Sequence, residues 1–383
     1  MNARTALCVG LIVLTAGAAV AEANPTRRRP ARSPAQQQPA PQPTGQGQQQ
    51  QQQQSGATQN RRDLTLVTNN SQQQIEFVIG PAAGQVKVVG INGGSEQNYT
   101  GVNTINLRTG TNLDVVTFQI RTPNVPQINV DTGFGDSDVK FIYEIPSSNV
   151  AQSNVNVLGG SGDDKVAFEA KVLARTFNAQ WNVRSGSGTN EVVAKTEHFG
   201  NAEATNVLVD AVTGAGFDKL SFETTSQARR QELRLLGSLG EGEDNALFKF
   251  DGVRAATTKV QSNLDMGGSK DQSEMIVVSR GGRIEVSADT RGGAGDDVLK
   301  MLLEGSGDAE VAQIGGSGDD YLDIELSGGI GGRARQIAET GDDFLKYVVT
   351  GPRRFQPTMD GGAGFDQGLG FGRVTSIEEF DRQ

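Results

Sequence analysis

Gly159-Gly160-Ser161-Gly162-Asp163-Asp164-Lys165-Val166-Ala167-Phe168 is the stretch that decides the fold. Its glycine and aspartate core returns as Gly293-Ala294-Gly295-Asp296-Asp297 and as Gly316-Ser317-Gly318-Asp319-Asp320. Close copies are Gly214-Ala215-Gly216-Phe217-Asp218, Gly240-Glu241-Gly242-Glu243-Asp244 and Gly362-Ala363-Gly364-Phe365-Asp366, and weaker ones end at Asp114, Ser137, Asn190, Asp271 and Asp343. Counted on the final residue, the anchors fall at 114, 137, 164, 190, 218, 244, 271, 297, 320, 343 and 366, with gaps of 23 to 28 residues. One turn sequence recurring at a nearly fixed interval marks a repeat architecture.

The residues after each anchor say what the repeat builds. Two positions on stand Val116, Val139, Val166, Val192, Leu220, Leu299, Leu322 and Leu345; four positions on stand Phe118, Phe141, Phe168, Phe222, Phe248, Met301, Ile324 and Tyr347. Polar residues such as Lys165, Lys219, Asp323 and Lys346 lie between them. Alternation with period two is a strand with one buried face. A second alternating run precedes many turns, as in Val155-Asn156-Val157 and Leu233-Arg234-Leu235. Each unit therefore reads strand, glycine turn, strand, return.

No single unit of this kind can bury its own apolar face, whereas stacked units bury a continuous column. The expected fold is all-β: a parallel β-helix of 11 to 13 rungs, right-handed by analogy with the fold class, with an internal phenylalanine ladder. An antiparallel sandwich would not place one turn at one phase eleven times. The repeat domain spans 63–383, with a front cap over 63–110 and a closing segment over 367–383. Near the end Gly368 and Gly370 occupy the core positions, and Val374 to Phe380 reads as a closing strand.

At the turns, Gly159 to Ala167 resembles the G-G-x-G-x-D-x-U-x nonapeptide of hemolysin-type (RTX) calcium-binding repeats, as do Gly292 to Lys300 and Gly315 to Asp323. The resemblance implies calcium held between neighbouring rungs by aspartates and backbone carbonyls, with Asp164, Asp218, Asp244, Asp297, Asp320, Asp343 and Asp366 as ligands and Asp296, Asp319 and Asp342 beside them. Calcium takes six to eight oxygens, and glycines let carbonyls face inward. The departures are a single motif per coil rather than tandem copies, Ser137 and Asn190 in place of the carboxylate, and Lys270 inside one loop. The same residues also make a tight turn without any metal, with glycine at positive φ and aspartate bonding nearby amides.

Outside the repeat, residues 1–21 read as a cleaved secretory leader: Arg4, an apolar run from Ala6 to Val20, and Ala19-Val20-Ala21 as the cleavage site. Residues 22–62 read as a disordered Pro/Gln/Arg-rich linker. Seven arginines and one acid precede Asp63, so 28 basic and 44 acidic side chains remain beyond it, a formal charge near −16. That sign excludes nucleic acid as a natural partner and suits cations. The lone Cys8 lies in the leader, so the mature chain has no disulfide.

For function, these features lead to an exported, non-catalytic β-helix protein, secreted, periplasmic or at the cell surface, with no membrane span after leader cleavage. It binds calcium at its turns and serves as a binding or structural module, with a polysaccharide or cell-surface component as partner. The alternative is a β-helix enzyme acting on acidic polysaccharide, which needs a lysine or arginine base or paired carboxylates. Lys300, Asp323 and Lys346 on successive rungs are the nearest approach to such a set, and they also suit a solvated strand face. His198 has no nucleophile motif near it and reads as a surface or turn residue.

Overall fold

The computed structural model describes residues 56–382, apart from 61, 69–71, 254, 352–353, 371–372, 376 and 378. The leader and the linker up to residue 55 lie outside the described residues. The repeats form one parallel β-solenoid of about 10 turns. Each coil contributes a strand after its glycine turn, the trailing strand, and a strand before the next, the leading strand. Asp164–Val172, Glu191–His198, Lys219–Ser226 and Asn245–Gly252 stack in register as one parallel ladder. Val150–Leu158, Thr176–Arg184, Ala204–Val212 and Arg230–Ser238 stack as the other.

The two ladders face one another across the core, and the predicted phase holds. Val116, Val139, Val166, Val192, Leu220, Leu299, Leu322 and Leu345 are all buried. Phe77, Phe118, Phe141 and Phe168 stack with ring centroids 4.4, 4.8 and 4.8 Å apart. At the next rung Ala194 leaves a space, and Trp181 from the leading ladder fills it, stacking on Phe168 at 4.6 Å. The Trp181 indole N–H donates to Ser153 Oγ at 3.0 Å, and Tyr143 shares that hydroxyl at 2.8 Å. The polar tips of the two large aromatics are thereby satisfied inside an apolar column.

The far edge explains the variable repeat length. Where coils are 26 to 28 residues long, short connections such as 146–149, 173–175 and 199–203 join trailing to leading strands. In two of the 23-residue coils the strand runs round the corner unbroken, as Val298–Ser317 and Tyr321–Thr340, whereas in the 23-residue coil after Asp114 a connection over 121–126 separates the two strands. In Gln272–Ala294 the register jumps between Val278 and Arg283 while the neighbouring coil advances only from Glu304 to Ser306, so its three extra residues form a bulge.

The ends depart from expectation in detail. Asp63–Val67 and Gln73–Ile79 already pair in parallel with the first full coil, so part of the predicted cap belongs to the solenoid. The edge is covered instead by antiparallel strands, Val86–Val89 on Gln73–Ile79 and Gly56–Asn60 on Asp63–Val67. Composition places Gly56–Asn60 in the linker; main-chain pairing with an open strand edge, which needs no apolar side chains, makes it a strand. At the other end Gln367–Gly370 and Glu379–Arg382 continue the parallel pairing.

Candidate functional site

The eleven anchors form a buried column up one edge of the solenoid. All are between 0% and 3% exposed. From Asp164 to Asp343 the backbone N–H of each anchor donates to the side-chain oxygen of the anchor one coil further on, whereas the N–H groups of Asp114 and Ser137 donate to the Asp136 and Asp163 carbonyls. Asp218 N–H reaches Asp244 Oδ1 at 2.7 Å, Asp244 reaches Asp271 at 2.7 Å, and Asp271 reaches Asp297 at 2.8 Å. Asp297 N–H continues to Asp320 at 2.9 Å, Asp320 to Asp343 at 2.7 Å and Asp343 to Asp366 at 3.0 Å. Asn190 takes the same part, its N–H donating to Asp218 Oδ1 at 2.8 Å, and Ser137 Oγ donates to Asp164 Oδ1 at 2.5 Å.

The residues one before the anchors make a second, exposed column of the same kind. Asp319 N–H donates to Asp296 Oδ1 at 3.1 Å, Asp342 N–H to Asp319 Oδ1 at 3.0 Å and Phe365 N–H to Asp342 Oδ1 at 2.9 Å. Asp296, Asp319 and Asp342 therefore do not converge with Asp297, Asp320 and Asp343; they face the opposite way.

The glycines have their own reason. A Cβ on Gly162, Gly188, Gly216 or Gly242 would lie 2.6, 2.1, 1.9 or 1.6 Å from the carbonyl oxygen of the equivalent residue one coil below. At these four turns a side chain would require the coils to shift apart, and the positive φ adds backbone strain to any residue with a Cβ. Ser269 and Glu339 are the two non-glycine residues at positive φ, and both stand at motif positions where glycine has drifted.

From Asp218 to Asp366 each carboxylate spends Oδ1 on a backbone N–H, Asp164 spends its Oδ1 on the Ser137 hydroxyl, and Asp114 spends both oxygens on the N–H groups of Gln73 and Gly110. Among the described residues, no group of three or more His, Cys, Asp or Glu side chains is placed to hold a metal ion. Six to eight oxygens at 2.3–2.6 Å are needed for calcium. Calcium at the turns Asp164, Asp218, Asp244, Asp297, Asp320, Asp343 and Asp366 would therefore have to draw most of its oxygens from the backbone carbonyls of the turns.

The outward side of the leading ladder carries a feature that the motif reading missed. Asn129 Nδ2 donates to Asn106 Oδ1 at 2.8 Å, Asn156 to Asn129 at 2.8 Å and Asn182 to Asn156 at 2.7 Å. Asn206 donates to Asn178 at 2.7 Å in a parallel column, with Asn154 and Gln180 in register between the two. This face holds adjoining hollows: about 510 Å³ over Asn106, Asn129, Asn156 and Asn182, about 530 Å³ over Asn154, Asn178, Gln180 and Asn206, and about 870 Å³ from Arg234 to Arg333 and Arg335. The sequence signal was present, because Asn106, Asn129, Asn156 and Asn182 each lie eight residues before an anchor.

His198 is not at the surface. It is fully buried, with Nδ1 2.7 Å from Thr205 Oγ1, Nε2 2.7 Å from the Ala174 carbonyl and Phe177 edge-on. The carbonyl can only accept, so Nε2 carries the proton and Nδ1 accepts from Thr205. Burial pushes its pKa down, which keeps the ring neutral. Lys300, Asp323 and Lys346 do stack in register as expected. Lys346 is taken up by Asp323 at 2.9 Å and Glu325 at 2.5 Å, and Lys300 lies 5.8 Å over the Tyr321 ring. Compared with known proteins, the chain matches no family model, no curated protein and no solved structure.

Proposed function

We propose that this is an exported, non-catalytic solenoid whose leading face binds an extended polysaccharide. The observation that carries the reading is the hydrogen-bonded asparagine column Asn106, Asn129, Asn156 and Asn182, flanked by Asn154, Asn178, Gln180 and Asn206. A side-chain amide offers two N–H donors and two acceptor lone pairs, and pairing along the column leaves some of each directed outward. Such a row meets sugar hydroxyls, which also both donate and accept. It repeats once per coil, about every 4.8 Å, so it suits a polymer lying along the solenoid axis.

Charge supports the same face. The folded part is strongly acidic, yet arginines line this trough along its length, from Arg108 and Arg184 beside Asp131 at the amide end to Arg234, Arg333 and Arg335 beside Asp289 and Glu310 at the other, where Arg333 and Arg335 are both exposed. A chain rich in hydroxyls that also carries acidic groups is complementary to that surface. An Arg- and Pro-rich linker after a leader would hold such a module away from the surface that carries it.

Binding to a polysaccharide array, with product analysis of each positive, tests the proposal. The wild-type protein is expected to retain at least one polymer intact, and Asn129→Asp with Asn156→Asp is expected to weaken it about tenfold or more by replacing donors with repelled carboxylates. Equal binding by the double variant would remove the amide face from the account, and cleaved product would make the protein an enzyme instead.

A further inference from the structure

Five arginines line the trough on the leading face: Arg108, Arg184, Arg234, Arg333 and Arg335. Three of them are neutralised within the protein. Arg108 lies 3.3 Å from Asp131, Arg184 2.5 Å from Asp210 and Arg234 2.7 Å from Glu232. Among the described residues no carboxylate pairs with Arg333 or Arg335, and both side chains are exposed. Acids outnumber bases 44 to 28 in the folded part, so two neighbouring guanidiniums without a carboxylate stand out. Side by side they repel one another, and the fold gains nothing from holding them there.

Their setting suits a ligand. Arg333 and Arg335 flank the buried Ala334 in Tyr321–Thr340, so both project from the outer side of one strand, roughly 7 Å apart along it. In register, the preceding coil presents Glu310 beside Arg333 and Ala312 beside Arg335, and the following coil presents Gln356 and Thr358. All of these line the hollow of about 870 Å³. Arg335 therefore stands between a methyl group and a hydroxyl, with no acid on either neighbouring coil. Glu310 is the one carboxylate next to the pair, because Asp289, the other acid of this wall, lies 3.9 Å from Arg291. Two positive charges thus face one negative charge, and Gln356 and Thr358 add neutral donors. An anion with two or more oxygens can take parallel N–H bonds from one guanidinium and a further bond from the second.

We propose that Arg333 and Arg335 form an anion subsite at the C-terminal end of the trough, which selects an acidic polysaccharide by seating one of its carboxylate or sulfate groups over Ala312. The inference rests on the reading of the leading face as a polysaccharide-binding surface and adds what that surface discriminates. The amides meet hydroxyls, which every polysaccharide has, whereas the arginine pair separates charged polymers from neutral ones.

The length of the trough fixes the size of the ligand. Asn182 and Arg335 stand in one outward column, through Asp210, Leu236, Asn263, Asp289 and Ala312. That is six coil steps, about 29 Å, so a single sugar cannot touch both the amides and the arginines, and a polymer can. Asp210 and Asp289, the acids between them, each lie beside an arginine of their own, which confines the anion subsite to the pair. Charge-assisted hydrogen bonds to one anion are worth on the order of tenfold or more in affinity.

Binding of the whole protein to glucan, mannan and galactan, each in neutral, carboxymethylated and sulfated form at one salt concentration, tests this. The charged form of at least one backbone is expected to bind about tenfold or more tightly than its neutral form, and the two charged arms tell carboxylate from sulfate. Arg333→Gln with Arg335→Gln is expected to bring the charged form down to the neutral one and to leave neutral binding unchanged. Arg229→Gln with Arg230→Gln, which removes the same charge from the exposed far edge, is expected to keep the preference. Equal binding of neutral and charged forms overturns the subsite and leaves the polysaccharide reading standing, whereas no binding to any polymer overturns both. A preference that survives loss of Arg333 and Arg335, or that falls equally in the far-edge variant, also overturns the subsite, because the attraction then lies elsewhere or is unspecific.

Discussion

Replacing Phe168 by alanine isolates the stacked core. Its ring is fully buried, held between Phe141 at 4.8 Å and Trp181 at 4.6 Å, both nearly parallel to it. Truncating a buried phenylalanine costs about 3–5 kcal/mol in transfer and cavity terms. Two stacked aromatic partners place the change in the upper part of that range, because each contact is worth about 0.5–1.5 kcal/mol beyond area. Ala194 lies on the next rung and cannot fill the space, so collapse of the site is limited. The control is Phe217→Ala: Phe217 also belongs to the repeat but is 48% exposed at the turn, and its loss is expected to cost under about 1 kcal/mol. Urea unfolding followed by tryptophan fluorescence is the assay, since Trp181 reports on that part of the column. Similar losses for the two variants, or a loss below about 1 kcal/mol for Phe168→Ala, would refute the ladder.

The turn stacking makes a separate prediction. Gly216→Ala puts a Cβ 1.9 Å from the Gly188 carbonyl at φ 152°, and is expected to cost about 3 kcal/mol or more, whereas Gly200→Ala, at φ 81° with nothing within 4 Å, should cost only about 1–2 kcal/mol of backbone strain. Equal costs in chemical denaturation would mean that close coil contact is not what selects glycine. For the aspartate column, whose carboxyls burial pushes up to between about 6 for Asp164 and about 9 for Asp271, apparent stability should decline as pH rises from about 4 to about 9 and recover on acidification, read as a reversible midpoint shift. On the leading face, Asn129→Asp with Asn156→Asp should weaken polymer binding about tenfold while leaving the unfolding midpoint within roughly 2 °C, since both side chains lie on the outer surface.

Much of the fold was legible because the chain repeats one local decision. A turn motif at one phase, followed by apolar residues two and four positions on, fixes the strand, its buried side and its register with the next coil. What escaped was long-range or depended on complementary gaps. Trp181 fills the space left by Ala194, thirteen residues further along the chain, and no periodicity shows that. His198 read as a surface residue because its partners, Ala174 and Thr205, lie in segments with no motif.

The candidate site was legible in position, while its burial and its hydrogen bonding were not. Asp164 and its equivalents were visible as a stack of carboxylates, for which a cation is the natural remedy in solvent. Their burial, and the N–H of each neighbouring coil on Oδ1, belong to the stacking geometry and not to the composition. Asn190 was the informative exception. An asparagine that substitutes for aspartate in a column adds a hydrogen-bond donor, and the sequence alone could not show that it meets Asp218 Oδ1 and the Gly186 and Gly188 carbonyls. The asparagine column was legible in principle through its fixed offset from the anchors, but polar residues on an outer face attract no notice until their hydrogen bonds are seen.

The central claim is that each repeat is one interchangeable coil, with its anchor directly beneath the next. Excising residues 321–343 removes one 23-residue unit and joins Asp320 to Phe344, whose predecessor Asp343 occupies the same place in its own coil. Circular dichroism and thermal unfolding of that shortened protein are the direct measurement. The solenoid predicts unchanged strand signal per residue and one cooperative transition, while excision of residues 321–332, half a coil, should abolish folding of the C-terminal region. Loss of folded structure in both deletions, or in neither, would contradict a stack of equivalent coils.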